Sequence, residues 1–168
     1  MSCVVQIVGK KDTGKTLLIE RLTSKLVKMG MQVGVIKSSH HEIDIRGKDS
    51  YRFKQAGAEI VVLSSPSEII IFLNKRKTDI HKILSFLAVD VIFIEGFSEI
   101  QFGKRFEIGS INDISYLEDK IFKYIIEVCK RTKPRILVNG EIIEASNFYL
   151  YLYNILKNNN IKEVKIID

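Results

Sequence analysis

The sequence predicts a three-layer α/β fold with a mostly parallel sheet, and three observations carry this prediction. Apolar runs of strand length alternate with helical patterns along the 168 residues, as in chains of βαβ units. Residues 9–16 read GKKDTGKT and fit G-x-x-x-x-G-K-[ST] between an apolar run and a helical pattern. A second apolar run ends in the carboxylate of Glu95. Together they predict a P-loop nucleotide-binding fold in a single domain over residues 1–168.

The glycine-rich segment is the most informative part of the chain. The run before it, residues 3–8, is apolar and β-branched, and the residues after it open a helix. Glycines let backbone N–H groups point toward a phosphate, and the helix presents its positive end. We expect Lys15 to reach the outer phosphates and the Thr16 hydroxyl to hold Mg²⁺. The predicted phosphate-binding residues are Gly9, Lys10, Lys11, Asp12, Thr13, Gly14, Lys15 and Thr16.

Local patterns predict the next elements in order. Leucines at helical spacing mark a helix that Gly30 ends. Two later strands are joined by a link too short for a crossover helix, so they predict an antiparallel hairpin. These elements are a helix over 17–29, a strand over 32–37, a polar loop over 38–47, a helix over 49–56 and strands over 60–63 and 68–73.

The rest of the chain continues the alternation. Apolar residues at i, i+3, i+4 and i+7 from Ile80 predict a helix. Ser115 and Glu118 fit a capping box at the start of a later helix. The elements predicted here are a helix over 80–87, strands over 89–94 and 105–108, a helix over 117–128, a strand over 136–138, a helix over 146–157 and a strand over 164–167.

Glu95 is the second candidate for phosphate-site chemistry. It stands at the carboxyl end of a buried strand, where ligands bind in open α/β sheets. A Mg²⁺-nucleotide site needs a carboxylate on the metal or on one of its waters. Asp90 begins the same strand and lies toward the opposite edge of the sheet, which makes it the weaker candidate.

The polar loop after the second strand adds further candidates. Asp44 or Asp49 could reach the metal if the loop responds to the terminal phosphate. The adjacent His40 and His41 would suit zinc, but the sequence nearby supplies no further histidine or cysteine to complete four ligands. A solvated loop without a ligand remains the alternative.

Composition narrows the classes of partner. The chain is 46% hydrophobic and 27% charged, ordinary for a globular protein, and no apolar run is long enough for a membrane span. The net charge of +6 is spread along the chain, so nucleic-acid binding is disfavoured. Cys3 and Cys129 lie in apolar patterns without C-x-x-C spacing, which predicts buried thiols in a reducing compartment, the cytoplasm.

Four segments taken together resemble one family. They read VGKKDTGKTLLIER over 8–21, VGVIKSSHH over 33–41, DIRGKDSYRFKQAGA over 44–58 and DVIFIEGF over 90–97. Their order and spacing are similar to those of the molybdopterin-guanine dinucleotide biosynthesis adapter family, MobB. The segments cover somewhat under half of the chain, and no motif of the family is evident beyond Gly109.

The resemblance implies a homodimeric protein that binds GTP with Mg²⁺ and is a weak GTPase at most. Its implied partners are the molybdenum cofactor guanylyltransferase and molybdopterin. Asp44 and Glu95 would stand near the metal beside Thr16. The family's second motif contributes residues whose chemical role the resemblance leaves open: His40, His41, Lys48, Asp49 and Arg52.

Two other function classes remain open. A small P-loop kinase would show an arginine-rich lid, whereas Arg46, Arg52, Arg76 and Arg105 are scattered. A metal-insertion GTPase chaperone would use the two adjacent histidines as its metal ligands.

Overall fold

The computed structural model describes residues 2–39, 41–73, 80–129, 136–138, 141–143, 156 and 160–161. The chain divides into two compact units. Unit 1 comprises Met1–Ser38 and Leu84–Asp168, and unit 2 comprises Ser39–Ile83. None of the helices in the described parts of the chain offers an apolar stretch that could span a bilayer.

Unit 1 is built on a four-stranded parallel sheet. Its strands are β1 (Cys3–Val8), β2 (Val33–Lys37), β5 (Val91–Glu95) and β6 (Lys104–Glu107), in the order β2-β5-β1-β6. Because neighbouring strands are parallel, the carboxyl ends of β1, β2 and β5 lie at one edge. The predicted α/β fold with a mostly parallel sheet is confirmed.

Two helices pack against each other in unit 1. These are α1 (Lys15–Lys28) and α4 (Ile114–Val128). Each helix has an apolar stripe of residues at helical spacing, and both stripes pack with the central strands into one hydrophobic core. The fully buried side chains of this core are Val5, Ile7, Leu18, Leu22, Leu26, Val91, Phe93, Ile108, Ile121 and Ile125.

Unit 2 contains a short helix and the predicted hairpin. Helix α2 spans Asp49–Gln55, and β3 (Ile60–Ser64) pairs antiparallel with β4 (Ile69–Leu73). Opposite residues point to the same face of a hairpin. One face is partly covered, since Val61 is buried. The other face exposes five large aliphatic side chains: Ile60, Val62, Ile69, Ile71 and Leu73.

The remaining predictions have mixed outcomes. The helix predicted from Ile80 is α3 (Ile80–Phe86), and strand 136–138 is β7 (Ile136–Val138). An additional strand that the sequence analysis missed, β8 (Glu141–Ile143), pairs antiparallel with it. Two other predictions, the helix over 146–157 and the strand over 164–167, lie outside the described residues apart from residue 156.

The predicted capping box is wrong. Ser115 lies inside α4, whereas the box is formed by Ser110 and Asp113 at the short 3-10 turn, Ile111–Asp113, that leads into the helix. The Asp113 carboxylate accepts hydrogen bonds from the backbone N–H groups of Gly109, at 3.0 Å, and Ser110, at 2.8 Å. Ser110 with Asp113 and Ser115 with Glu118 both have the spacing of a capping box. The first pair forms the box because it lies where the chain enters the helix and backbone N–H groups need partners.

The prediction of two separate thiols is also wrong. Cys3 and Cys129 form a disulfide between the start of β1 and the end of α4, with Cα atoms 5.5 Å apart. They are separated by 126 residues in sequence, so no local spacing in the sequence could predict the disulfide. The packing of α4 beside the core brings them together.

Candidate phosphate and metal site

The loop between β1 and α1 has the backbone of a phosphate loop. Gly9 has no room for a side chain, because a Cβ there would lie 2.3 Å from the carbonyl oxygen of Ile108. Gly14 adopts a φ of 93°, which favours glycine, and its carbonyl accepts the first helical hydrogen bond, from Leu18 N–H at 2.9 Å. The glycine positions of the motif are therefore required by the backbone itself.

Lys15 lies within this loop. Its ammonium donates to the carbonyl oxygen of Gly9 at 3.0 Å and to that of Lys10. The Thr13 hydroxyl donates to the same Lys10 oxygen at 2.9 Å. The loop thus folds around a cation at the amino end of a 14-residue helix, an arrangement that attracts anions.

Thr16 and Glu95 meet at the edge of the sheet. The Thr16 hydroxyl lies 3.1 Å from Glu95 Oε1 and 3.0 Å from Oε2. The two residues are 79 positions apart in sequence. The structure therefore brings together two of the three predicted Mg²⁺ ligands.

Lys37 completes this cluster. It ends β2, directly beside Glu95 in the strand register. Its ammonium lies 3.2 Å from Glu95 Oε1 and 3.2 Å from the Thr16 hydroxyl oxygen. A cation already rests against the two oxygens that were predicted to bind Mg²⁺, so this pair of groups fits a positively charged ligand. Hydroxyl and carboxylate oxygens are the donors that Mg²⁺ prefers.

Gln6 holds the segment that follows Glu95. Its side chain is fully buried in β1. The amide nitrogen lies 2.9, 3.0 and 2.9 Å from the carbonyl oxygens of Gly96, Phe97 and Ile100, which share its two hydrogens. The amide oxygen accepts from Phe102 N–H at 3.0 Å. One side chain thus ties residues 96–102 to the centre of the sheet, next to the candidate metal carboxylate.

Asp44 lies in unit 2, where its carboxylate has partners of its own. Oδ2 pairs with the Lys54 ammonium at 2.7 Å. Oδ1 accepts from Ser50 Oγ at 2.8 Å and from Ile45 N–H at 2.9 Å. Its hydrogen bond to Lys54, helped by the one from Ser50, holds the pKa of the Asp44 carboxyl below its usual value against the opposing effect of burial. In this conformation Asp44 anchors the loop onto α2.

The family-motif residues form no cluster around a shared group in the described structure. His41 is exposed, and its backbone N–H donates to Ser39 Oγ at 3.1 Å. Lys48 precedes α2, and Asp49 forms an exposed ion pair with Arg52 at 3.6 Å. His40 lies outside the described residues.

Sequence reasoning missed the roles of Lys37 and Gln6. A signal for each was present. Lys37 ends a strand that the parallel-sheet rule places at the same edge as Glu95. Gln6 is the polar residue of an otherwise apolar strand, and a buried amide needs partners.

A glycine-rich loop between a buried strand and a helix, with a threonine facing a strand-end carboxylate, defines a P-loop protein of the α/β class. A family model described as "Molybdopterin guanine dinucleotide synthesis protein B" matches residues 4–110. The chain belongs to this family, MobB.

Curated relatives agree with this assignment. A putative molybdopterin-guanine dinucleotide biosynthesis adapter protein of Methanocaldococcus jannaschii is 39% identical over 101 residues, covering 57% of this chain and 41% of that protein. The adapter protein of Haemophilus influenzae is 35% identical over 102 residues, covering 55% of this chain and 56% of its own length. The chain thus matches only about half of the length of these relatives.

Solved structures are similar as well. The crystal structure of Bacillus subtilis MobB matches with a TM-score of 0.50 and 25% identity, over 67% of this chain and 72% of that one. A crystal structure titled molybdopterin-guanine biosynthesis protein B has a TM-score of 0.51 at 22% identity, over 74% of this chain and 99% of that one, which supports the fold.

Proposed function

We propose that this chain binds GTP with Mg²⁺ and acts as an adapter in molybdopterin-guanine dinucleotide biosynthesis. The observation that carries the proposal is the contact of Thr16 with Glu95 beside the phosphate loop. The family description and the relatives' names refer to molybdopterin-guanine dinucleotide, which supports a guanine nucleotide and this pathway. The net charge of +6 also suits an anionic nucleotide.

Each part of the loop has a role in this proposal. Backbone N–H groups of residues 9–16 bind the phosphates, and Lys15 neutralises their charge. Thr16 and Glu95 hold Mg²⁺, which would shield the phosphate oxygens from one another. Asp44 is proposed as a further oxygen for the metal or its waters, and it would have to leave Lys54 and Ser50 to serve there.

Hydrolysis is proposed to be slow. Within the described part of unit 1, no hydrogen bond or ion pair joins an arginine or glutamine side chain to Thr16, Lys15 or Glu95. Such side chains usually stabilise the transferred phosphoryl group or orient water. A GTPase without them turns over at about 10⁻³ s⁻¹ or slower. An adapter can work at this rate, because its output is a bound conformation.

Membership of the family supports a proposal about the partners. We propose that the chain pairs with the molybdenum cofactor guanylyltransferase and comes close to molybdopterin during the transfer of GMP. A cytoplasmic location belongs to the same proposal and rests on the supply of GTP there. The free thiols that first suggested this location are replaced by the Cys3–Cys129 disulfide.

We also propose a homodimer, and the β3–β4 hairpin supports it. Its open face carries five exposed aliphatic side chains in a contiguous row. Monomeric proteins rarely leave such a patch in water. A two-fold axis would place the same face of a second copy against it. The helix predicted over 146–157 carries several tyrosines and lies outside the described residues apart from residue 156.

Sedimentation tests the dimer at tens of micromolar protein. Ile71→Lys places a charge at the centre of the open face and should convert the dimer to a monomer. Val128→Lys makes the same exchange at an exposed site near the end of α4 and should leave the dimer intact. A wild-type monomer would remove the proposal, and a dimer that persists with Ile71→Lys would move the interface elsewhere.

Calorimetry tests the nucleotide. We expect Mg²⁺–GTP to bind more tightly than Mg²⁺–ATP, and chelation of Mg²⁺ to weaken GTP binding. Purified protein alone should hydrolyse GTP far below one turnover per second. If neither Mg²⁺–GTP nor Mg²⁺–ATP binds, the proposed function is refuted. Rapid intrinsic hydrolysis of GTP would indicate an enzyme instead of an adapter.

A further inference from the structure

The Thr16–Glu95–Lys37 cluster holds a cation supplied by the chain itself. Side-chain exposure differs sharply across it, with 10% for Glu95 and 56% for Lys37. A nearly buried carboxylate needs a compensating charge. The Lys37 ammonium supplies that charge and also reaches the Thr16 hydroxyl, as a metal ion would.

Lys37 and a metal ion cannot share this position. Mg²⁺ binds oxygen ligands at about 2.1 Å and demands ordered geometry. The ammonium stands 3.2 Å from both Glu95 Oε1 and the Thr16 oxygen, in the space that a metal bound to both would use. Lys37 has to move away before Glu95 and Thr16 can bind the ion together.

That movement is feasible at low cost. Lys37 is at the last position of β2, so its backbone stays in the sheet while its four-carbon side chain can turn into solvent. Water can solvate the displaced ammonium because the Lys37 end of the ion pair is exposed, and the entering metal ion compensates the charge of Glu95 in its place. Displacement therefore changes the metal affinity moderately and leaves the fold intact.

We propose that Lys37 is a tethered competitor of the divalent cation at this site. It neutralises Glu95 while no metal is bound, and Mg²⁺ enters by displacing it. The protein is thereby kept from loading free Mg²⁺ tightly before a nucleotide supplies additional oxygen ligands. This inference rests on the proposed function and adds a residue that sets the metal affinity of the site.

Metal binding without nucleotide provides the first test. Mn²⁺ serves as a paramagnetic probe, with the free ion measured by electron paramagnetic resonance. Lys37→Met should bind Mn²⁺ about fivefold more tightly than wild type, the scale of an ion pair with one exposed partner that no longer competes. Lys28→Met removes the same charge from the last turn of α1, at the opposite end of the helix from Thr16, and should match wild type. Glu95→Gln should abolish this binding and so identifies the site.

Chemical labelling of the wild-type protein provides the second test, independent of how any variant folds. The acetylation rate of Lys37, measured by mass spectrometry, should rise when Mn²⁺ or Mg²⁺ is added, while that of Lys28 stays constant. Unchanged labelling, or equal or weaker Mn²⁺ binding by Lys37→Met, overturns the inference.

The two proposals fail separately. GTP binding with equal Mn²⁺ affinities for wild type and Lys37→Met would leave the function standing and remove the competitor. Displacement of Lys37 by Mn²⁺ in a protein that binds no nucleotide would do the reverse.

Discussion

At the scale of single residues, Lys15 has the most direct consequence for ligand binding. Its ammonium now satisfies backbone carbonyls of its own loop, and a bound phosphate would offer it a full negative charge. Lys15→Ala should weaken Mg²⁺–GTP binding by about 2 kcal/mol or more, roughly 30-fold, as expected for the loss of one charge-assisted partner. Calorimetry measures the affinity and circular dichroism checks that the fold survives. Equal affinities for wild type and variant would refute the phosphate-loop assignment.

Asp44 makes a prediction about pH. Its pKa is lowered in the folded state, chiefly by Lys54, so the folded state binds the proton more weakly than the unfolded state does. The resulting stabilisation is present above the ordinary aspartate pKa of about 4 and is lost as the pH falls through the lower folded value.

Amide hydrogen exchange of α2 measures this effect locally. Wild type and Asp44→Asn are compared at each pH. As the pH falls from 5 to 3, the extra protection of α2 in wild type over the variant should decrease. A difference that stays constant over this range would show that the ion pair with Lys54 does not stabilise the loop.

At the scale of elements, Gln6 links β1 to the segment that leaves β5. Gln6→Leu would leave three carbonyl oxygens of residues 96–102 without this donor and the N–H of Phe102 without this acceptor. We expect a loss of about 3 kcal/mol in the free energy of unfolding, since each buried group left without a partner costs about 1–3 kcal/mol and the costs are not additive.

Urea unfolding measures that loss. Gln101→Leu is the matched control, because it makes the same exchange at an exposed position of the same segment and should change stability by less than about 0.5 kcal/mol. If both variants unfold at the same urea concentration as wild type, Gln6 does not hold the segment.

The sequence patterns predicted the boundaries of some helices and strands more accurately than those of others. Helix α1 and strands β1, β2 and β5 were predicted to within about two residues, because periodicity and burial agree there. The start of α4 was misplaced, since two S-x-x-acid patterns compete and only the folded turn selects Ser110 with Asp113.

At the scale of the whole molecule, the disulfide closes a long stretch of the chain. A cross-link between residues 126 positions apart restricts the unfolded chain and should stabilise the protein by about 3 kcal/mol. Reduction with dithiothreitol should therefore lower the urea midpoint. A Cys3→Ser/Cys129→Ser variant should unfold near the reduced wild type and should not respond to the reductant. A wild-type midpoint unaffected by complete reduction would contradict this role.

The sequence by itself predicted the phosphate-loop motif, the strand-end carboxylate, the hairpin and the family, because each is carried by short segments whose residues are close together in the chain. The tertiary structure decided which side chains meet. Thr16, Lys37 and Glu95 come from three separate elements, and they converge because β2 and α1 are carried to the edge where β5 ends. Gln6 and the Cys3–Cys129 pair obtained their partners in the same way. Contacts between distant positions depend on the order of strands in the sheet and on helix packing, and no local pattern encodes either of them.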